Sequence, residues 1–495
     1  MAEASSGTER LDKRFAGGLA WTAGVKWLTQ LVTWSSVFFL ARLLTPEDYG
    51  IGAMASSLLL ISNVMAEFGV GTAVLHMPEL SKKALAQFHA FSCLLCLAFF
   101  ALACMVSPLV ASFYHSDKIL FFMANNIVLL ITGFQSIPNA LVARDMDYRR
   151  LAIAEASHFL VQAVVSVSLA WLGWGYWSLL CGSVAGKTTA TVLVSTWKPV
   201  GFAWPRWEDI RAPFQLGRQS AIGRIAWSLY IQSDGIIIGR LMGERARGIY
   251  GMALDLSSAP AEKISMLLMR TSGPLFANVK DDLALVRRYT VILAELISLT
   301  VTPLMAGLAM VAPIVLSALW EQKWIAAATP VRWLAVYQIV RTMNMLCEQI
   351  LTSQKRAGFT MRTSLMACCV MPIAFLFGAK WFGLEGVAGA WLAIAPLSSI
   401  PLIWMVLRVS GLPFGEYLSA LLPAGISTGV MCLAVYWVSN WTSQQHFADR
   451  STLGILIATG AVVYLATAFG LFGRRIARYL RFLKGLRGGG TAATA

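Results

Sequence analysis

Fourteen ionisable side chains stand inside apolar stretches long enough to cross a bilayer: Lys26, Glu67, Glu155, Lys187, Arg224, Asp234, Asp255, Glu262, Lys263, Arg270, Glu295, Arg332, Arg341 and Glu348. A charge at mid-bilayer costs about 2.5–3.5 kcal/mol on insertion scales, so each needs an explanation. Seven are basic and seven acidic, so the plain expectation is that most pair with one another or reach the interface from span ends. Glu67, Glu155, Arg270, Arg332 and Glu348 are the first to be accounted for in that way. Lys26 and Arg224 differ, because they are 198 residues apart and that separation is also the offset of an internal repeat. Two cations at equivalent places suit a diphosphate, which needs compact charge to leave water. Lys263 and Arg270 lie seven apart on one helical face, with Asp255 on nearly the same stripe and Pro260 freeing a carbonyl between them. Lys26, Arg224, Lys263 and Arg270 are therefore the candidate anion contacts. Asp234 and Glu295 are the candidate groups for ion coupling, since burial raises a carboxylate into the working pH range. Gln30 and Trp34, four apart on the Lys26 face, offer an amide and an aromatic surface to a sugar.

These residues are positioned by a membrane-embedded chain. Of its 495 residues 57% are hydrophobic and 13% charged, with a mean hydropathy of +0.65, which excludes a soluble or disordered protein. Apolar stretches near the roughly 20-residue spanning length recur almost end to end. They read as fourteen spans: 18–42, 50–74, 86–113, 119–142, 152–172, 175–196, 214–238, 249–273, 289–316, 327–351, 363–381, 386–407, 416–438 and 452–473. The formal charge of +15 points to topology rather than nucleic acid. Counting residues at span ends with the adjacent loop, 25 basic residues fall with the termini and even-numbered turns and 8 with the opposite set, which places both termini in the cytoplasm. The tail from Arg474 to Arg487 repeats bases at helical spacing and is expected to lie on anionic headgroups.

The repeat aligns residues 41–55 with 239–253, with Arg42/Arg240, Leu43/Leu241, Gly50/Gly248, Ile51/Ile249, Met54/Met252 and Ala55/Ala253 identical. Six spans separate the copies, so both halves enter the membrane in the same direction, related by an axis along the membrane normal. The expected fold is an all-α integral membrane protein of two six-helix lobes plus two extra C-terminal helices. Its parts are a cytoplasmic N-terminal segment at 1–17, an N-lobe at 18–197 and a cytoplasmic linker at 198–213. A C-lobe at 214–408, two further spans within 409–473 and a basic tail at 474–495 complete it.

Three motifs carry a family likeness: Leu40-Ala-Arg-Leu-Leu-Thr-Pro-Glu-Asp-Tyr-Gly50, Phe68-Gly-Val-Gly-Thr-Ala-Val-Leu75 and Ile137-Pro-Asn-Ala-Leu-Val-Ala-Arg-Asp-Met-Asp-Tyr-Arg-Arg150. With them the chain resembles the Wzx-type flippases, the polysaccharide transporter branch of the multidrug/oligosaccharidyl-lipid/polysaccharide exporter superfamily. The motifs read as turn and packing elements and say little about the sugar. The resemblance implies a non-enzymatic flippase of the bacterial inner membrane, moving a polyprenyl-diphosphate-linked oligosaccharide by alternating access for surface polysaccharide assembly. It implies membrane lipids, a polysaccharide polymerase and export machinery as partners, and neither cofactor nor nucleic acid. A multidrug exporter of the same superfamily is the nearest alternative, but it calls for an acidic cavity where Lys26, Arg224 and Lys263 supply a basic one. A polytopic glycosyltransferase or polymerase needs a sizeable external loop, and the longest here, Ser439 to Ser451, is about a dozen residues.

Other patterns carry no chemistry. Gly186-Lys-Thr188 lacks the earlier glycine of a phosphate loop, where Cys181 stands, and sits in a span. Cys93-x-x-Cys96 lacks a second ligand pair, and the five histidines have no metal-ligand spacing.

Overall fold

Thr45-Pro-Glu-Asp48 is a helix start written in sequence: proline at the first helical position, with an acid three residues after a threonine. The computed structural model, which describes residues 24–25, 27–67, 74, 81–445 and 448–487, begins a helix there. The Thr45 backbone N–H and hydroxyl donate to Asp48 Oδ2 at 3.1 and 2.8 Å, and the Asp48 N–H donates back to Thr45 Oγ1 at 3.2 Å. Asp147 caps another helix by accepting from the Arg150 N–H, after a turn in which Met146 takes a positive φ of 53°. The family motifs at 40–50 and 137–150 thus start and stop helices.

The first helix, α1, runs over 27–43. It is followed by α2 (Pro46–Glu67), α3 (Lys82–Tyr114), α4 (Ile119–Asn125), α5 (Ile127–Arg144), α6 (Tyr148–Trp171) and α7 (Trp177–Trp197). Helix α8 (Trp207–Val279) is broken at Gly243, whose φ of 81° suits glycine. Then come α9 (Leu283–Trp320), a 3₁₀ turn (Gln322–Ala327), α10 (Ala328–Ser353), and α11 (Ala357–Ser410), broken at Gly383. The chain ends in α12 (Phe414–Gln444) and α13 (Asp449–Arg487), which kinks at Phe472. Among the described residues there is no β-strand.

Seven of these segments are long and apolar enough to cross a membrane by length and composition. They expose large apolar side chains, Met105 and Leu109 at 70% each, where water would penalise them and lipid would not. The chain is a multi-pass α-helical membrane protein.

Contacts divide the chain into two units, Met1–Gly248 and Ile249–Ala495. The division falls within α8, so α8 up to Gly248 packs in the first unit. There α6 and α7 approach closely at Gly182 and Gly186. A methyl on Gly182 would strike the Ser166 hydroxyl, and one on Gly186 the His158 carbonyl. The second unit has one continuous core, in which Phe276, Ile297, Met305, Leu346, Ile350 and Val406 pack together.

In that unit Pro303 lies inside α9. A proline removes the N–H that would have bonded the carbonyl four residues earlier. That carbonyl, on Leu299, accepts instead from the Tyr464 hydroxyl of α13 at 2.6 Å.

Candidate functional site

Lys26 lies outside the described residues. Arg224 and Arg270 stand on α8, with their side chains likewise outside the described part. Gln30 is half-buried and Trp34 is 46% exposed on α1. Lys263 is exposed on the second half of α8. Gln30, Trp34 and Arg224 belong to the first unit, Lys263 and Arg270 to the second.

Two candidate carboxylates are deeply buried, and each has a basic residue in its surroundings. Glu295 on α9 is fully buried and accepts from Arg475 Nε of α13 at 2.9 Å. Arg475 belongs to the basic stretch that the sequence assigns to headgroups, yet it is docked on a spanning helix. A second pair, Arg341 on α10 and Glu262 on α8, meets at 3.4 Å, so in-span charges do partner one another.

Asp234 is 2% exposed in the first unit, and its Oδ1 accepts from the Gly235 N–H. The Arg247 guanidinium, 6% exposed, packs against Gly235 so closely that a side chain there would come within 2.7 Å of it. Arg247 Nη2 donates to Ser57 Oγ at 3.2 Å, and Ser57 Oγ donates to Gln232 Oε1 at 3.3 Å. Arg247, Ser57 and Gln232 thus form a hydrogen-bonded chain that passes beside Gly235, the neighbour of Asp234. Opposite charges can be buried in company where neither could stand alone. The charge count assigns Arg247 to an external loop, and its proximity to Asp234 depends on how α8 turns at Gly243.

Around that turn residues 46–50 and 244–248 of the two repeat copies pack on each other inside the first unit. A methyl on Gly50 would strike the Glu244 carbonyl, and one on Gly248 the Pro46 carbonyl. Arg245 Nη1 donates to Glu47 Oε1 at 3.2 Å. Glu47 is the repeat equivalent of Arg245, Pro46 of Glu244 and Gly50 of Gly248, so the Arg245–Glu47 pair maps onto itself and the Gly50–Glu244 and Gly248–Pro46 contacts map onto each other. Reciprocal contact is what a two-fold relation produces. Ser116 Oγ donates to Glu244 Oε1 at 2.6 Å, and Arg240 meets His115, which ties the turn after α3 to the same place. In that exposed turn Lys118 holds the Asp117 carboxyl below the usual carboxylate range through a hydrogen bond. The Asp48 carboxylate also accepts from the Tyr176 N–H at 3.0 Å, fixing the start of α7.

The comparisons with known proteins agree with this architecture. The teichuronic acid biosynthesis protein TuaB of Bacillus subtilis (strain 168) is 20% identical over 92% of this chain and 95% of its own length. The succinoglycan biosynthesis transport protein ExoT of Rhizobium meliloti (strain 1021) is 24% identical over 90% and 93%. In structure, the lipid II flippase MurJ in an inward closed conformation matches with a TM-score of 0.70 at 14% identity, over 92% of this chain and 99% of that one. It therefore shares the fold. The family model described as polysaccharide biosynthesis protein matches residues 39–329, more than half of the sequence, and the chain belongs to that family.

Proposed function

We propose that the chain is a Wzx-type flippase, which moves a polyprenyl-diphosphate-linked oligosaccharide across the bacterial inner membrane by alternating access and does no covalent chemistry. The observation that carries this reading is membership of the polysaccharide biosynthesis family in a chain with seven helical segments long and apolar enough to cross a membrane among its described residues. A relative named as a transport protein, matched over nine-tenths of both lengths, supports transport rather than synthesis. So does the fold shared with a protein named as a lipid II flippase.

The finer reading has fourteen spans, supported by the breaks at Gly243 and Gly383 that divide α8 and α11. Both termini are cytoplasmic, on the 25-to-8 distribution of basic residues. The lobes are 18–197 and 214–408, joined by 198–213, with 409–473 and the tail 474–495 added. Lys26, Arg224, Lys263 and Arg270 hold the diphosphate, and Gln30 and Trp34 meet the first sugars. Asp234, a carboxylate buried in the first unit near Arg247, is the coupling group, where a proton or cation could neutralise its charge. Glu295 takes that role only when Arg475 releases it. A polysaccharide polymerase and export machinery receive the product.

The test is a deletion strain. It is expected to lose surface polysaccharide and to accumulate the lipid-linked oligosaccharide on the cytoplasmic face, and the cloned chain should reverse both. Normal surface polysaccharide without accumulation would reject the reading.

A further inference from the structure

The segment between α7 and α8 is expected to be a linker, yet residues 198–206 are docked along α3. Lys198 pairs with Asp145, and Val200 packs on a small core that includes Phe88 and Ile137. The Ala203 N–H donates to the Ala86 carbonyl at 3.4 Å, and Gln87 Nε2 donates to the Trp204 carbonyl at 3.3 Å. Phe202 lies with its ring centroid 4.7 Å from that of His89 and 6.1 Å from that of Phe134. The docked strap roofs a groove between α3 and α5 of about 430 Å³, walled by Leu94, Leu97, Leu130, Phe134, Phe202 and Trp204. Ligand pockets commonly fall in the range of about 300–1,000 Å³, and this one is almost wholly apolar.

At one end of the groove the chemistry changes sign. Lys82 and Lys83 are exposed in the first turn of α3, and Arg206 is exposed at the end of the strap. Ala90, where the apolar lining starts, is eight residues beyond Lys82, about 12 Å at 1.5 Å per residue. That is the scale separating a lipid phosphate from the interior of its acyl chain.

We infer that this groove is a binding site for one anionic phospholipid, its acyl chain under Phe202 and Trp204 and its phosphate at Lys82, Lys83 and Arg206. Bare apolar walls would hold any lipid chain, and the three cations at the mouth select a negative headgroup. The site holds the strap against α3 through lipid as well as through protein contacts. It rests on the topology above only for which leaflet supplies the lipid, the cytoplasmic one.

The experiment is native mass spectrometry of the full-length protein released from micelles containing dioleoylphosphatidylglycerol or dioleoylphosphatidylcholine. The wild-type chain should retain one phosphatidylglycerol in preference to phosphatidylcholine. Lys82→Gln and Lys83→Gln should each lower that preference about fivefold, from about 1 kcal/mol per basic residue at an anionic surface. Trp204→Ala should lower retention of both lipids, and at 82% exposure the tryptophan is not part of the packed core. In the unaltered protein, a phosphatidylglycerol bearing a photoreactive acyl chain should label peptides of α3, α5 or the strap. Equal retention of the two lipids by the wild type, an unchanged preference in both lysine variants, or labelling confined to other segments would overturn the site. None of these measurements uses transport, so their failure leaves the flippase reading standing, and a failed complementation leaves this site standing.

Discussion

Lys26 and Arg224 are reached by two independent arguments, the repeat offset and the need of a diphosphate for compact positive charge. If both hold one diphosphate, Lys26→Ala and Arg224→Ala should each reduce transport strongly at unchanged abundance, with the double variant little worse than the worse single one. Lys26→Arg should be tolerated better than Lys26→Glu, since sign matters more than shape at a phosphate. Normal transport in both alanine variants, measured with abundance, would remove them from the site. Arg475 makes the opposite forecast. Its removal leaves the fully buried Glu295 without its arginine, and breaking a buried pair costs about 3–5 kcal/mol. Arg475→Ala should therefore lose folded protein, and Glu295→Gln with Arg475→Ala should recover much of it, as read by thermal unfolding in detergent. What sequence made legible at this scale was which charges are anomalous. It did not make their partners legible, because Glu295 and Arg475 are 180 residues apart and nothing local to either records the other.

Helices were legible wherever a turn is chemically marked. Thr45-Pro-Glu-Asp48 and Asp147 carry their caps in sequence, and Gly243 and Gly383 fall in the gaps between expected spans. The strap at 198–206 was not legible, because it docks through backbone hydrogen bonds at Ala203 and Trp204, which composition does not encode. The bond between α9 and α13 lies between these cases: Pro303 announces an unsatisfied carbonyl on Leu299, but only the fold supplies Tyr464. Tyr464→Phe should destabilise by about 0.5–1.5 kcal/mol, the net worth of one hydrogen bond. In a Pro303→Ala background the helix regains its own N–H at that carbonyl, so the same substitution should be close to neutral. A double-mutant cycle on thermal unfolding gives the coupling, and equal costs in the two backgrounds would mean that Tyr464 acts through packing.

At the scale of the whole molecule, every assignment of headgroup, coupling and lipid sites to a side of the membrane depends on one sign, that of the loop charges. The proposed orientation rests on the excess of 25 basic residues over 8, because cationic loops are retained in the cytoplasm during insertion, and that excess is distributed over both termini and six turns rather than concentrated in the tail. Removing 474–495 should therefore leave the orientation of the inserted chain unchanged. Single cysteines test this in a background without the eight native ones. Asp117, Glu385 and Arg450 are exposed at one set of turns, and Lys280 and Lys355 at the other. An impermeant thiol reagent applied to intact cells should label cysteines at the first three positions and spare those at the last two until the membrane is opened. Labelling at Lys280 from outside would place the Lys82, Lys83 and Arg206 cluster in the outer leaflet and turn the entry side of the diphosphate into its exit.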